Sequence, residues 1–354
     1  MFRLHFENQV YSKAEDFEVN PKDLPEYAKA AFSFCKSWME GEKTFSQFTS
    51  GSTGTPKQIS ISRFQMVASA KATGAFFKTD SNSKLLCCLN PAYIAGKMML
   101  VRAMVWNCEI HLVEPSSTPL RKVDSEVDFV AMVPLQVQAS MEDEISIQKL
   151  KSIQNLIIGG APISAKLKAA LVENGIKAWQ TFGMTETVSH IALAEIGNEE
   201  LLYRVLPGVE IGQDQRGALW IKSEMSGPDP IQTNDLIELR SANSFVWQGR
   251  VDFVVNSGGI KLFPELIEQK AEGVIAEIFA GIPYFFFGEK DELLGEKLVL
   301  FLETTESNGR LKILKERLSD VLGKYELPKK IYFSPKFART ESGKIHRRET
   351  FTSL

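Results

Sequence analysis

The chain has 354 residues, 44% of them hydrophobic and 24% charged, with a formal net charge of −3 at pH 7. This is the composition of an ordinary globular protein, long enough for roughly two to three domains of about 150 residues. The charge balance excludes a polybasic nucleic-acid or membrane-surface binder, and no apolar run is long enough to span a membrane.

In chain order, the opening MFRLHFENQVYSKAED lacks the apolar core of a signal peptide. From about residue 84 to 250, short apolar runs alternate with helix-like stretches. KLLCCLN (84–90), EIHLVE (109–114), DFVAMVP (128–134) and NLIIGG (155–160) read as strands buried on both faces. Between them AGKMMLVRAMVW (95–106) and SAKLKAALVENG (164–175) have helical spacing, the second starting at a Ser N-cap and ending on Gly175. The alternation predicts a mainly parallel sheet with helices on its faces. GALWIKS, DLIELR and SFVWQGR (217–250) follow without long helices, as an antiparallel section. After Asp252 the pattern changes to helices over 264–277 and 311–323 and strands in PYFFFGEK, EKLVLFLE and KIYFSP. The expected fold is α/β, with a large domain over 1–251 and a small α+β domain over 252–354. The four cysteines form no C-x-x-C pair, and a reduced cytoplasmic location fits them best.

Five stretches carry candidate chemistry. FTSGSTGTPKQIS (48–60) offers backbone and hydroxyl donors and a terminal Lys57, suited to phosphate oxygens. The alternative is a flexible linker. It is not a P-loop, because Pro56 and Gln58 break that pattern. IIGGAPIS (157–164) opens space at the carboxyl end of a strand, where open α/β sheets bind ligands, or is a plain strand-to-helix turn. In TFGMTET (181–187), Phe182 suits a base, Thr185 a phosphate and Glu186 a magnesium ion, against a polar turn with Phe182 in the core. Asp235 in TNDLIEL and Arg250 in WQGRVD suit a ribose, or are a turn aspartate and a strand-end arginine. RTESGKIHRRE (339–349), with Lys344, reads by itself as a solvated charge run.

Together and in this order the five resemble the core motifs of the AMP-forming acyl- and aryl-CoA synthetases, over about residues 45–350. The resemblance implies ATP, Mg²⁺ and coenzyme A. A carboxylate would attack the α-phosphate to give an acyl-adenylate, and a thiol would then displace AMP. It assigns Ser50, Ser52, Thr53, Gly54 and Lys57 to the β- and γ-phosphates, and Gly160, Ala161 and Pro162 to the adenine border. Phe182 would lie on the adenine face, beside Gly183. Thr185 would touch the α-phosphate, Glu186 the metal, and Asp235 and Arg250 the ribose. Lys344 would reach from a mobile C-terminal domain that swings about a hinge at Asp252. The swing would bring NSGGIKLFP, with Gly258, Gly259 and Lys261, to the site for thiol attack.

GMTETVSHIAL (183–193) and NPAYIAGKMMLVRA (90–103) resemble the o-succinylbenzoate–CoA ligases of menaquinone biosynthesis. That acid keeps a second carboxylate, for which Lys97, Arg102, Ser189 and His190 are candidates. His190 alone would read as a core histidine, and Lys97 and Arg102 as surface charges. The chain departs from the family in three places. Tyr93 stands where many members have His, TND replaces the usual TGD, and the phosphate loop begins unusually early. The short N-terminal portion implies a reduced subdomain and a specialised acyl site, one that a homodimer partner could complete. The rivals are another aryl- or acyl-CoA ligase, a ligase acting on a carrier protein, and a non-catalytic nucleotide binder.

Overall fold

The computed structural model describes all residues except 20, 21, 23, 49–57, 306–308, 340–343 and 354. Its centre is a sheet of 13 strands. The parallel part runs, in spatial order, Ala178–Gly183, Asn155–Ile158, Phe129–Met132, Lys84–Cys87, Glu109–Leu112 and Arg3–Phe6. Antiparallel strands extend it on one side through His190–Glu195 to Val209–Gln213, and Gln9–Tyr11 closes the other.

The continuous apolar runs have a simple cause. Leu85, Cys87, Phe129 and Ile157 enter one buried cluster, while Leu86, Cys88, Val130, Leu156 and Ile158 enter another on the opposite face. Helices Glu26–Met39, Arg63–Phe77 and Ile94–Trp106 supply the first cluster, and Ala165–Glu173 the second. The Ser164 N-cap is present, its hydroxyl accepting from Leu167 N at 3.0 Å.

EIHLVE departs from the expectation of a doubly buried strand. Ile110 and Leu112 are buried, but Glu109 and His111 are half-exposed, because the apolar cluster on that face thins out at Leu86 and Val113, close to the sheet edge. The N-terminal strands, helices Glu26–Met39 and Arg63–Phe77, and strands Ala178–Gly183 to Val209–Gln213 add elements that the sequence pattern did not single out. In Arg63–Phe77 small residues do the packing. Trp106 donates its indole N–H to Ala70 O at 2.9 Å, and a Cβ on Gly74 would lie 2.6 Å from that nitrogen.

A short turn at Val251–Phe253 leads to a separate five-stranded sheet flanked by helices Pro264–Ile278 and Arg310–Val321. Buried residues from Val255 onward form their own clusters and join none of those preceding the turn. The helix Pro264–Ile278 lies against strand Ser244–Arg250 and helix Ala165–Glu173, where Glu272 accepts from Ala165 N at 2.8 Å. Among the described residues no helix is long and apolar enough to cross a membrane.

Helix Ile94–Trp106 holds Lys97 and Arg102 only if its first turn can approach the preceding loop. A Cβ on Gly96 would sit 2.5 Å from Asn90 O and 2.6 Å from Leu89 O, both backbone atoms. Gly96→Ala is therefore expected to lower unfolding free energy by about 1–3 kcal/mol, measured by urea titration.

Candidate functional site

Parallel strands bring their carboxyl ends to one edge of the sheet, so the loops that follow them gather there. Gly159 and Gly160 follow Asn155–Ile158, and Thr181–Glu186 stands at the end of Ala178–Gly183. The two loops touch: a Cβ on Gly159 would lie 2.4 Å from Thr181 Oγ1, and Gly160 has φ +84°. Buried Gln180 fixes the first loop. Its amide donates to Ala161 O at 3.2 Å and Ile158 O at 3.3 Å, and its oxygen accepts from Ile163 N at 3.0 Å. Gly160, Ala161 and Pro162 are thereby held exposed at the open edge.

The next segment is strained. Val188 has φ 65° and ψ −49°, and Ser189 N donates to Thr187 O at 2.6 Å, closing a γ-turn that a β-branched residue rarely adopts. Gly183 must be glycine here, since a Cβ would meet Ser189 O at 2.3 Å and His190 Cα at 2.5 Å. The turn leaves Glu186 exposed and Thr185 half-exposed, and sends Ser189 and His190 inward. Phe182 meets Tyr203 and Phe245 edge-on, at ring separations of 5.6 and 5.2 Å.

Behind the turn lies a directed hydrogen-bond chain. Thr73 donates to Ser69 O at 3.0 Å, so its oxygen accepts from His190 Nε2 at 3.2 Å. His190 Nδ1 then accepts from Ser189 Oγ at 3.4 Å, and Ser189 Oγ accepts from Arg102 Nη2 at 3.0 Å. Burial and the nearby Arg102 hold the His190 imidazole well below its usual range, so it stays neutral. Arg102 is only 1% exposed, which corrects its reading as a surface charge: the helix carrying it is apolar on nearly every side. Its other contacts are Met99 Sδ and the Phe129 ring, its Nε is unpartnered, and among the described residues no carboxylate pairs with it. Burial pushes the guanidinium down to about 10, which still leaves it charged at neutral pH. Lys97 is half-buried and donates to Gln47 Oε1 at 3.0 Å, with burial lowering its pKa. Tyr93 is 68% exposed at the helix start.

Asp235 and Arg250 are direct partners across neighbouring strands. Buried Asp235 accepts from Trp247 Nε1 at 3.0 Å and lies 3.8 Å from Arg250 Nη1. Arg250 also donates to Asp252 at 3.1 Å. Asn234, the departure in TND, donates to both Asp252 oxygens at 3.3 and 3.4 Å, a contact that glycine could not make. Ser50, Ser52, Thr53, Gly54 and Lys57 lie outside the described residues; the strands on either side, Thr44–Phe48 and Gln58–Ser62, pair antiparallel. Gly258 and Gly259, at φ 58° and 84°, form the turn between strands Val255–Ser257 and Ile260–Leu262, and that turn alone accounts for both glycines. Lys261 is exposed beside it.

Lys344 is exposed, and the chain next to it is anchored firmly. Ile345 packs with Phe285, Phe301 and Phe337. Arg347 grips Glu268 with two hydrogen bonds of 2.8 and 2.9 Å and covers the Phe253 ring at 4.5 Å. The segment bearing Lys344 is thus tied both to helix Pro264–Ile278 and to the turn at Val251–Phe253. Burial pushes the Glu268 carboxyl up to about 7, against the pull of Arg347. Sequence reasoning missed this pair: Arg347 sits in a charge run, and its partner is far away in the chain. Arg347→Ala leaves the largely shielded Glu268 carboxylate with only the bond from Phe286 N at 2.8 Å, and is expected to cost about 3 kcal/mol of stability, with Glu268→Gln recovering part of the loss in the double variant. Chemical denaturation followed by the near-ultraviolet signal checks both.

Comparison with known proteins identifies the family of the chain. A family model described as AMP-binding enzyme matches residues 10–216, more than half of the chain. A 2-succinylbenzoate–CoA ligase of Enterococcus faecalis is 26% identical over 341 residues, covering 86% of this chain and 68% of the relative. A probable 2-succinylbenzoate–CoA ligase of Mycobacterium tuberculosis is 25% identical over 319 residues, covering 84% and 81%. Among solved structures, an acyl-CoA synthetase (AMP-forming)/AMP-acid ligase II-like protein from Dyadobacter fermentans is 37% identical, with a TM-score of 0.65 and 97% and 98% of the two chains covered. The O-succinylbenzoate coenzyme A synthetase of Bacillus subtilis, in complex with ATP and magnesium ion, superposes with a TM-score of 0.70 at 20% identity, over 86% and 69%. The chain belongs to the AMP-binding, adenylate-forming enzymes.

Proposed function

We propose that this enzyme is a carboxylate–CoA ligase whose acid is o-succinylbenzoate, acting in the cytoplasm. A carboxylate oxygen attacks the α-phosphorus of ATP, forming the acyl-adenylate and releasing pyrophosphate. The coenzyme A sulfur, as thiolate, then attacks the acyl carbon, the bond to AMP breaks, and AMP leaves. The observation that carries the choice of acid is Arg102, a buried guanidinium with no carboxylate beside it, behind the turn that bears Thr185 and Glu186. A monoacid leaves such a charge uncompensated, whereas the spare carboxylate of a diacid completes it. The names of the curated relatives point the same way.

In this reading Asp235 and Arg250 hold the ribose, and the exposed backbone of Gly160–Pro162 borders the adenine beside Phe182. Thr185 bonds the α-phosphate. Ser50, Ser52, Thr53, Gly54 and Lys57 hold the outer phosphates, and Ser189 and His190 orient Arg102. An exposed carboxylate at the strand ends suits magnesium, which takes one or two carboxylates together with substrate phosphates. Glu186 would hold that ion, which would supply charge neutralisation on the phosphates. Residues 1–251 act as the nucleotide and acyl domain. Residues 252–354 act as a lid that turns at Asp252, delivering Lys344 for adenylation and the Gly258–Lys261 turn for thiol attack. Arg347, on Phe253, keeps the lysine segment in step with that turn.

Purified protein with ATP, Mg²⁺ and coenzyme A, offered o-succinylbenzoate beside benzoate, 4-coumarate and a medium-chain fatty acid, is expected to make thioester chiefly from the first. Lys344→Ala should lower pyrophosphate release by roughly 10²–10³-fold, the range for loss of one group that stabilises transition-state charge. Preference for a monoacid would overturn the choice of acid and keep the chemistry. Full adenylation by the variant would remove Lys344 from its role.

A further inference from the structure

Three strands along the sheet from Asn155–Ile158, Glu109 and His111 project half-exposed from one side of their strand, at the margin of the apolar cluster that ends with Leu86. Ile110 and Leu112, alternating with them, point into the core with Leu4 and Phe6 of the neighbouring strand. The pairing is parallel, with Arg3 beside Glu109 and His5 beside His111. Alternation and register therefore set His5, Glu109 and His111 on a single patch of the outer face. Two residues of one strand spaced by two, with a third opposite on the next strand, form a triangle of side chains small enough to share one ion.

The side-chain geometry agrees. One ligand atom from each residue lies within 4.8 Å of the others. The two imidazoles stack with centroids 4.5 Å apart and planes 13° from parallel. His5 Nε2 is 3.3 Å from Glu109 Oε2, yet it is shielded from solvent and has no hydrogen-bond partner among the described residues. Two nearby cations could compete for the carboxylate. Lys84 is already engaged by Glu126 at 2.8 Å, which leaves Arg3, paired with Glu109.

We infer that His5, Glu109 and His111 form a site for a divalent transition-metal ion of the zinc type, not assigned in the adenylation chemistry above. Two imidazoles and a carboxylate suit zinc, cobalt or nickel and disfavour magnesium, which prefers oxygen ligands and octahedral geometry. Zinc holds such atoms at about 2.0–2.2 Å, so tetrahedral ligands stand about 3.4 Å apart. The widest side of the triangle has to tighten by up to about 1.4 Å, with the rings turning out of their stack and Glu109 releasing Arg3. An ion there clips the strand Arg3–Phe6 to Glu109–Leu112 and ties the start of the chain to the sheet.

The test uses the full chain without a histidine tag, cleared of metal and titrated with Zn²⁺ by calorimetry and with Co²⁺ by visible absorption. One ion per chain is expected, with a rise in Tm on saturation. Loss of an outer-shell partner alone weakens metal sites about 10–100-fold, so His5→Gln or His111→Gln should each cost more than about 100-fold in affinity. Arg3→Ala, which frees Glu109 without removing a ligand, should tighten binding. His346→Ala, remote from the cluster, serves as the control and should bind as the wild type does. Circular dichroism establishes that each variant is folded. Absence of saturable one-to-one binding by the wild type, undiminished affinity in the folded double variant His5→Gln/His111→Gln, or weaker binding by folded Arg3→Ala overturns the assignment.

Discussion

A charged guanidinium in a protein interior is tolerable only when something compensates it, and Arg102 is 1% exposed with no carboxylate beside it among the described residues. Much of the surrounding architecture serves that one side chain. The helix Ile94–Trp106 carries it inward, and Gly96 lets the helix start tight against the loop Leu89–Asn90. The strained turn at Val188 points Ser189 at it, while neutral His190 and Thr73 complete a one-way hydrogen-bond chain. Each donor in that chain finds an acceptor, which leaves the arginine with spare donors. A cation held in place in this way offers those donors to an anion without itself having to be reoriented.

The second constraint is direction. Six strands run parallel, so the loop Gly159–Pro162 and the segment Thr181–Glu186 meet at one edge although their strands are separated by a helix. The antiparallel strands then carry Asp235 and Arg250 as cross-strand neighbours, and Arg250 leads straight into the turn at Val251–Phe253. Two contacts tie that turn to residues on either side of it. Asn234 bonds Asp252, and Arg347 covers Phe253 while gripping Glu268. Any rotation about the turn has to break or carry these contacts, so both bear on the balance between conformations.

Much of this was legible in the sequence. The runs around Leu85, Val130 and Leu156 read as doubly buried strands because consecutive residues feed clusters on opposite faces. The motifs with Gly160, Thr185 and Asp235 were found because glycine, hydroxyl and carboxylate chemistry is local to each. What escaped has non-local causes. EIHLVE looked like its neighbours, but burial there depends on what covers the second face, which no periodicity reports. Arg102, a candidate for the second carboxylate, reads on its own as a surface charge, although MMLVRAMVW is apolar on both sides of it and a helix apolar all round is a buried one. The bond between Asn234 and Asp252 and the pair between Arg347 and Glu268 join residues distant in the chain. Val188 betrayed nothing, because positive φ at a β-branched residue is imposed by its surroundings.

The claim that Arg102 is reserved for a substrate carboxylate can be tested without turnover, by calorimetric titration of o-succinylbenzoate and of a matched monoacid, each in the presence of a non-hydrolysable ATP analogue, into wild-type protein and Arg102→Met. Methionine fills similar volume without charge, so the free variant should be as stable as the wild type or more so. Its affinity for the diacid should fall by roughly 10–100-fold, about 1.5–3 kcal/mol for a lost hydrogen bond to a charged group, while the monoacid binds equally well to both proteins. Equal loss for both acids, or no loss for the diacid in a folded variant, would contradict the account.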